Sequence, residues 1–359
     1  MLKRTKAFLS LITAAVILSS CGASGSSSSS SEGDSSSEAP TTAVKVTLPQ
    51  DSSVPDSSDS SQDDSSKDGV QQSSITPHMW KLTADNGHTI TFIGSMHALA
   101  EDSFPLPDRV LEPYKAADAV VCEIDLYGFT NNFAKQLELS NSATYDSKDE
   151  TIADHLSPET VEGLTSFFDK MVGSGAMETY KHFKPWMILS QCENASVQKA
   201  GLDPNKALDL VITKMATEDG KEIIEAEGAD FQFGMLQNFS DEMYDMLFAS
   251  YTAENSDMIV ESNKHLYEVW KAGDMEQTEK LLSSEADLTY GISNESQKAL
   301  LDEYNKAMLY DRNIGMAEVA EKVLKDHENT YFMVGLAHFI GEGGILDLLE
   351  KKGYTIEVI

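Results

Sequence analysis

The sequence predicts an α/β domain whose central mixed, partly parallel sheet is built from two pseudo-repeated units, with a large helical insertion between them. Each unit reads apolar strand, Gly-x-x-His, loop, helix, strand, and the two copies lie near the two ends of the domain. Residues from about 129 to 325 instead carry apolar patterns of helical period. A strand–helix–strand unit favours a parallel pair with the helix as crossover, so the two Gly-x-x-His turns are expected to lie together.

The first unit begins with a predicted hairpin. Residues 78–82 and 89–93 form its arms around an Asp-Asn-Gly-His turn, and the second arm ends at Gly94-Ser95-Met96-His97. A helix is predicted over Asp108 to Ala116, and a buried strand over residues 119–124. The unit therefore carries its histidine directly after its first parallel strand.

Helices dominate the middle of the chain and one strand interrupts them. The predicted helices cover residues 158–172, 186–200 and 205–219 and the longer segments around 243–270 and 295–325. The interrupting strand covers residues 221–227. The second unit follows, with a strand at 331–334, Gly335-Leu336-Ala337-His338, a helix at 345–352 and a last strand at 354–359.

Residues 1–21 are typical of a bacterial lipoprotein signal peptide. A basic stub precedes an apolar run, residues 7–18, that is shorter than the roughly 20 residues of a transmembrane helix. Leu18-Ser19-Ser20-Cys21 resembles a lipobox, in which the thiol of Cys21 receives a diacylglyceryl group. The alternative is an ordinary secretory peptide with a chance cysteine, and both place the domain outside the cytoplasm. We therefore expect a lipid-anchored protein at the outer face of the cell membrane.

A tether and one domain follow the signal peptide. Residues 22–76 are rich in Ser, Asp, Gly, Thr and Pro, and they have too few large apolar side chains to offset the entropy of ordering. The domain is predicted over residues 77–359. Most of the formal net charge of −32 falls on it, which makes nucleic acid and anionic headgroups poor partners. Contact with the membrane is therefore expected through the lipid anchor only.

Two cysteines remain for the folded part. An exported protein with Cys122 and Cys192 could close one disulfide. Cys122, however, lies in an apolar run, where a buried free thiol is equally plausible. Both possibilities stay open from the sequence.

Four side chains are candidates for chemistry at one edge of the sheet. Gly94 and Gly335 permit tight exits from their strands, and His97 and His338 point into the crevice beyond the carboxyl ends. Glu123 and Glu227 each follow a predicted strand and are expected at the same edge. Two imidazoles with carboxylates form a common divalent-metal set, and a carboxylate that does not bind the metal can act as general base. For each side chain alone, a structural histidine or a solvated glutamate is the plainer interpretation.

An ordered set of motifs resembles the TraB/GumN family, which includes the Tiki proteases and pheromone-shutdown proteins. The motifs are Phe92 to His97, Ala117 to Asp125, Lys184-Pro185-Trp186, Gly220-Lys221 running to Glu227, Trp270 with Gly273-Asp274, Arg312-Asn313, and Val334 to Gly341. Two places depart from the family pattern: of Gly-Val-Asp only Asp209 is kept, and of Leu-Glu-Thr only Glu227 is kept. Substrate recognition is where these departures are expected to matter.

The resemblance implies a metal-dependent hydrolase, with peptide cleavage as the activity attributed to the Tiki branch. It implies that His97, Glu123, Glu227 and His338 form the metal and water-activating cluster. His97, His338 and Glu123 would hold Mn²⁺, Co²⁺ or Zn²⁺, and Glu123 or Glu227 would take the proton of the water. Arg312 would lie at the rim, where a guanidinium polarises a carbonyl or holds a substrate carboxylate.

We therefore expect a peptidase-like hydrolase acting on a peptide or small molecule at the cell surface. The alternative is a non-catalytic surface module that binds or sequesters secreted peptides in the same crevice. A surface scaffold, in which the tether matters more than the pocket, ranks third.

Overall fold

A six-stranded sheet forms the centre of the protein. The structure is a computed structural model and describes residues 73–286 and 294–359, so the signal peptide, Cys21 and nearly all of the tether lie outside the described residues. The strands in chain order are β1 Met79–Thr83, β2 Thr89–Ser95, β3 Ala119–Cys122, β4 Glu222–Glu225, β5 Asn329–Gly335 and β6 Ile356–Val358. They lie side by side in the order β4-β3-β5-β2-β1-β6.

The sheet is mixed and mostly parallel, as predicted. The four neighbouring strands β4, β3, β5 and β2 are parallel to one another, while β1 is antiparallel to both β2 and β6. In the β2–β5 register Ser95 lies opposite Gly335. The two Gly-x-x-His turns therefore leave adjacent strands at the same edge.

The two predicted repeat units are not equivalent in the sheet. In the first, the helix connects β2 to β3, which lies two positions away because β5 is inserted between them. In the second, β5 leads to β6, which lies three positions away because β1 and β2 intervene. The prediction of twofold character is therefore not confirmed, although the α/β class is.

Helices surround the sheet and fill the insertion. They are α1 Asp108–Ala116, α2 Leu126–Thr130, α3 Phe133–Ser142, α4 Pro158–Met171, α5 Ala176–Tyr180, α6 Pro185–Lys199, α7 Leu208–Glu218, α8 Ala229–Gln237, α9 Asp241–Phe248, α10 Ser256–Ala272, α11 Met275–Ala286, α12 Glu295–Asn305, α13 Asp311–Asp326 and α14 Ile345–Lys351. Local signals explain the starts of several: Ser157 caps α4 by accepting the N–H of Thr160, and Pro158 occupies its first turn. None of the helices within the described ranges has the length and apolar character needed to cross a membrane.

Two hydrophobic clusters stabilise these layers. One contains the central strands, with Phe92 and Phe332 fully buried at ring centroids 5.3 Å apart. The other lies among the insertion helices around Phe167 and Trp186. Cys122 belongs to the first and Cys192 to the second, and both are buried free thiols. The separate cores explain why the disulfide left open by the sequence does not form.

Gly94 is required by close packing and not by a special backbone conformation. A Cβ placed on it would lie 2.5 Å from Cδ1 and 3.1 Å from Cα of Leu336, which follows the adjacent strand. Gly335 likewise has an ordinary φ of −52°. The sequence-based expectation of tight exits therefore has a different cause: the two strand ends approach each other too closely for a side chain.

The connection between α3 and α4, within the helical insertion, contains a histidine that lies between two acidic side chains. His155 Nε2 lies 2.9 Å from Glu150 Oε1 and Nδ1 lies 3.2 Å from Asp241 Oδ2, while its ring stacks on Tyr145. Partial burial lowers the pKa of His155, but hydrogen bonds and charges from the two acids outweigh it, so the pKa is raised. The proton is therefore bound more tightly in the folded protein than in the unfolded chain.

We expect His155 to stabilise the fold at acidic pH. Its contribution is fully present below the ordinary histidine pKa of about 6.5 and is lost as the pH rises through the higher folded-state pKa. Urea unfolding of His155→Gln should show a deficit of up to about 1 kcal/mol at acidic pH that shrinks at alkaline pH. His265→Gln, at an exposed histidine, should show no such deficit. A deficit independent of pH would contradict the prediction.

Candidate functional site

The candidate site lies beyond the carboxyl ends of four parallel strands. His97 follows β2, Glu123 follows β3, Glu227 follows β4 and His338 ends a 3₁₀ turn after β5. The parallel arrangement brings these ends to one edge, which is where ligands bind in open α/β sheets. All four residues that the sequence placed at this edge do lie there.

Gly335 marks the point around which three of these side chains converge. A Cβ built on it would lie 3.2 Å from Glu123 Oε1, 3.5 Å from His97 Nε2 and 3.6 Å from His338 Cδ2. Its backbone N–H donates to Glu123 Oε1 at 2.7 Å. A side chain at Gly335 would therefore crowd the carboxylate of Glu123 and contact both imidazoles, and glycine leaves this space to them.

Arg312 lies at the centre of the site and not at its rim, so the sequence-based placement was wrong. The residue is 2 % exposed. Its Nη2 donates to Glu123 Oε2 at 2.6 Å, and Nε and Nη2 donate to the two oxygens of Glu227 at 2.8 and 2.9 Å. Two buried carboxylates require a countercharge, and the planar guanidinium provides one for both.

An irregular helical segment directly before α13 positions Arg312. Residues 306–310 form a π-helical segment between α12 and α13, and Arg312 Nη1 donates to Met308 O at 3.1 Å within it. Single π-helical turns occur frequently at functional sites. Here the segment directs the guanidinium toward the carboxylates.

Gln232 bridges the same two carboxylates from α8. Its Nε2 lies 2.9 Å from Glu123 Oε2 and 2.7 Å from Glu227 Oε2. The side chain of Gln232 is buried. Together with Arg312 it fixes the rotamers of both glutamates and donates to Glu123 Oε2 and to both oxygens of Glu227. No sequence motif pointed to this residue.

Each histidine is oriented through its Nδ1 atom. His97 Nδ1 lies 2.6 Å from Asp209 Oδ2, and His338 Nδ1 lies 2.6 Å from Asn313 Oδ1. Asn313 Nδ2 donates to Gly343 O at 2.9 Å, which directs its oxygen toward the imidazole. Since both partners are acceptors, each Nδ1 carries the proton and each Nε2 faces the shared space.

Burial and charge separate the proton affinities of these groups. Burial and the nearby Arg312 guanidinium lower the pKa of His338 to about 3, so this imidazole is neutral. Burial also opposes charge on His97, but Asp209 outweighs it and raises its pKa. Burial raises the pKa of Glu123, but Arg312 and the two histidines outweigh it, and the result lies well below the ordinary value. Titratable groups pushed apart in this way are typical of functional sites.

The histidines fit a divalent ion better than the carboxylates do. A metal-bound imidazole normally donates its other N–H to a carboxylate or carbonyl oxygen, and Asp209 and Asn313 provide this for His97 and His338. Glu123 Oε1, however, is 3.9 Å from His338 Nε2. Within residues 73–286 and 294–359, no three His, Cys, Asp or Glu side chains are close enough together to hold an ion. The predicted ligands therefore share one space but do not form a complete ligand set.

Three residues of the site received no role from the sequence. Asp209 is the residue kept from the Gly-Val-Asp motif of the family, and Asn313 follows Arg312 in another motif. Nothing else in the sequence indicated a role for either residue. Gln232 had none. All three act on other side chains of the site, and such contacts between distant segments have no local pattern.

Comparisons with known proteins agree with the extent of the fold. The model of the TraB/PrgY/gumN family matches residues 78–358. The uncharacterized protein YbaP of Escherichia coli K12 is 27% identical over 160 residues, 45% of this chain and 56% of the relative. YbaP of Shigella flexneri is 28% identical over 149 residues, 42% and 52% respectively. The chain thus spans about half the length of these curated relatives, and no solved structure matches it.

Proposed function

The chain belongs to the TraB/PrgY/gumN family, and from that premise we propose that it is a metal-dependent hydrolase, most simply a peptidase, that acts at the outer face of the cell membrane. The membrane location rests on residues 1–21 alone. We define the buried cluster as His97, Glu123, Glu227, Arg312 and His338 and propose it as the catalytic centre. The resemblance drawn from the motifs is confirmed; the activity is our inference.

One observation carries the proposal. Two imidazoles with fixed tautomers turn Nε2 toward the same space, which also borders the ionised carboxylate of Glu123. Structural histidines in a core need no such convergence. Mn²⁺, Co²⁺ or Zn²⁺ held by His97 and His338 would supply Lewis-acid activation of water or of a carbonyl oxygen.

The protein side chains would divide the remaining work. Glu123 Oε2 is engaged by Arg312 and Gln232, whereas Oε1 faces the histidines and accepts the Gly335 N–H. Glu123 Oε1 is therefore placed to accept the proton of a water in that space. Arg312 holds Glu123 ionised and, with Glu227, keeps the carboxylate from turning away.

A binding module without turnover is the second candidate, and one observation favours it. Both Glu123 and Glu227 are held by Arg312 and Gln232, which is a stable arrangement for a purely structural ion-pair network. Such a module would bind secreted peptides in the same crevice. It would retain peptide and leave it intact.

The test combines metal content with cleavage. Full-length protein is treated with chelator, reloaded with each ion, analysed for bound metal and incubated with a peptide library. We expect ion-stimulated cleavage that falls at least about 10²-fold in His97→Ala and His338→Ala, together with loss of bound metal. His265→Ala, at an exposed histidine, is the control and should match the wild type.

Two outcomes would overturn the proposal. Cleavage that survives unchanged in both variants would remove the buried cluster from the chemistry. Retention of peptides without any cleavage, from folded protein under every ion, would establish the binding module instead.

A further inference from the structure

A pocket opens directly beside the buried cluster, and it is not used by any step proposed above. His97 and Gly335 line both the pocket and the shared space of the site. The pocket has a volume of about 90 Å³. A side chain bound there would lie directly beside a group held at the histidines.

The wall of the pocket is predominantly apolar. Its apolar lining comes from separate segments of the chain and includes Met96, Val197, Leu266, Trp270, Leu282 and Leu336. Trp270 is held rigidly because its indole N–H donates to Gly94 O at 2.8 Å. A rigid apolar wall of this kind recognises shape, since burying each methylene contributes about 0.8 kcal/mol.

The volume limits which side chain fits. Ligand pockets for whole small molecules are typically about 300–1,000 Å³, so this one accommodates a single side chain. A cavity of about 150 Å³ accepts benzene, so a space of about 90 Å³ is small for an aromatic ring. The pocket therefore fits an aliphatic side chain of at most about the size of leucine or methionine.

A buried glutamate, Glu193, affects which charged side chains the pocket can bind. Glu193 is 5 % exposed, lines the pocket and accepts the hydroxyl of Tyr251. An acidic side chain in the pocket would place a second carboxylate in the same low-dielectric space, which is strongly unfavourable. Acidic side chains are therefore disfavoured by Glu193, and aromatic ones by the volume.

We propose that this pocket is the specificity pocket of the site and that it selects a short aliphatic side chain, without a carboxylate, next to the bond presented to the buried cluster. The part of this proposal that concerns a cleaved bond rests on the proposed function. Binding of a side chain in the pocket does not require turnover. Binding and cleavage can therefore be tested separately.

The binding test uses single amino-acid amides as probes. Full-length protein carrying ¹³C-methyl methionine is titrated with the α-amides of leucine, phenylalanine and aspartate, and the Met96 resonance, assigned through Met96→Leu, reports occupancy. We expect a saturable shift with the leucine amide, and binding at least about 10-fold weaker for the other two. An equal response to all three, or no Met96 response to the leucine amide, would overturn the proposal.

Two variants change the volume in opposite directions. Val197→Phe fills the pocket and should abolish the response to the leucine amide. Leu266→Ala enlarges it and should admit the phenylalanine amide. Val172→Phe, at a residue that is 54 % exposed, is the matched control and should leave the titrations unchanged.

Cleavage of peptides separates failure of this proposal from failure of the proposed function. If peptides are cleaved, aliphatic residues should flank the cut bond, and Val197→Phe should shift the preference about 10-fold or more toward alanine and glycine. Selective binding of the leucine amide without any cleavage would support the pocket and count against the hydrolase. Cleavage without an aliphatic preference would support the hydrolase and overturn the specificity pocket.

Discussion

Replacement of Arg312 by leucine is expected to lower the free energy of unfolding by about 3–5 kcal/mol. The guanidinium is the countercharge that bridges Glu123 and Glu227, whose side chains are 7 % and 6 % exposed. Leucine fills much of the same volume but leaves two carboxylates buried close to each other without a cation. Urea denaturation of the purified full-length variant, followed by far-ultraviolet circular dichroism, measures the loss.

Two further variants identify the cause of that loss. Arg312→Leu combined with Glu227→Gln removes one of the two charges and should recover part of the lost stability, whereas simple loss of packing would not be recovered. Arg109→Leu, at an exposed arginine that donates to Ile359 O, should change stability by less than about 1 kcal/mol. A loss below about 1 kcal/mol for Arg312→Leu itself would mean that solvent reaches the carboxylates and that the buried cluster is not closed.

Local signals in the sequence located most elements of the fold. The helix predicted over Asp108 to Ala116 has those bounds in the structure, because a proline precedes it and its apolar period is clear. The strand predicted over residues 331–334 extends to Asn329–Gly335. Strand β4 is shorter than predicted and covers Glu222–Glu225. The residues after it turn toward Glu123, whose carbonyl accepts the N–H of Gly228. Period and capping are properties of neighbouring residues, and the sequence displays them directly.

The arrangement of the site depended on contacts that no local pattern displays. The four strand-end residues were found because parallel strands share an edge, which is a rule of topology. The central position of Arg312 follows from packing of α13 against the sheet edge, across a sequence separation of 189 residues from Glu123. The bridging by Gln232 and the orientation of the histidines by Asp209 and Asn313 have the same origin. The sequence therefore predicted which side chains lie at the site, but not the residues that fix their geometry.

The second large effect is expected for Asp209→Asn, and it acts through the tautomer of His97. Asp209 Oδ1 accepts the N–H of Leu210 at 3.2 Å, and Oδ2 accepts the Nδ1–H of His97. In the variant the amide oxygen is expected to keep the Leu210 bond, which turns the amide NH₂ toward His97. Nδ1 must then accept, so the proton moves to Nε2 and the lone pair facing the site is lost.

Under the proposed function this exchange should weaken metal binding by about 10–100-fold and lower the cleavage rate by about 10²–10⁴-fold. The tautomer itself is measured independently of activity, by ¹⁵N chemical shifts of the His97 ring at a pH above its titration. Asp219→Asn, at the end of the same helix and bonded to the hydroxyl of Tyr114, is the matched control and should change neither readout. If the ring proton moves to Nε2 while metal binding and cleavage stay unchanged, then His97 orients the site without contributing its Nε2 atom to the chemistry, and the role of ligand would have to pass to His338 alone. If the ring proton stays on Nδ1, the carboxylate of Asp209 is not what sets the tautomer, and the argument from the second contact of that side chain is wrong.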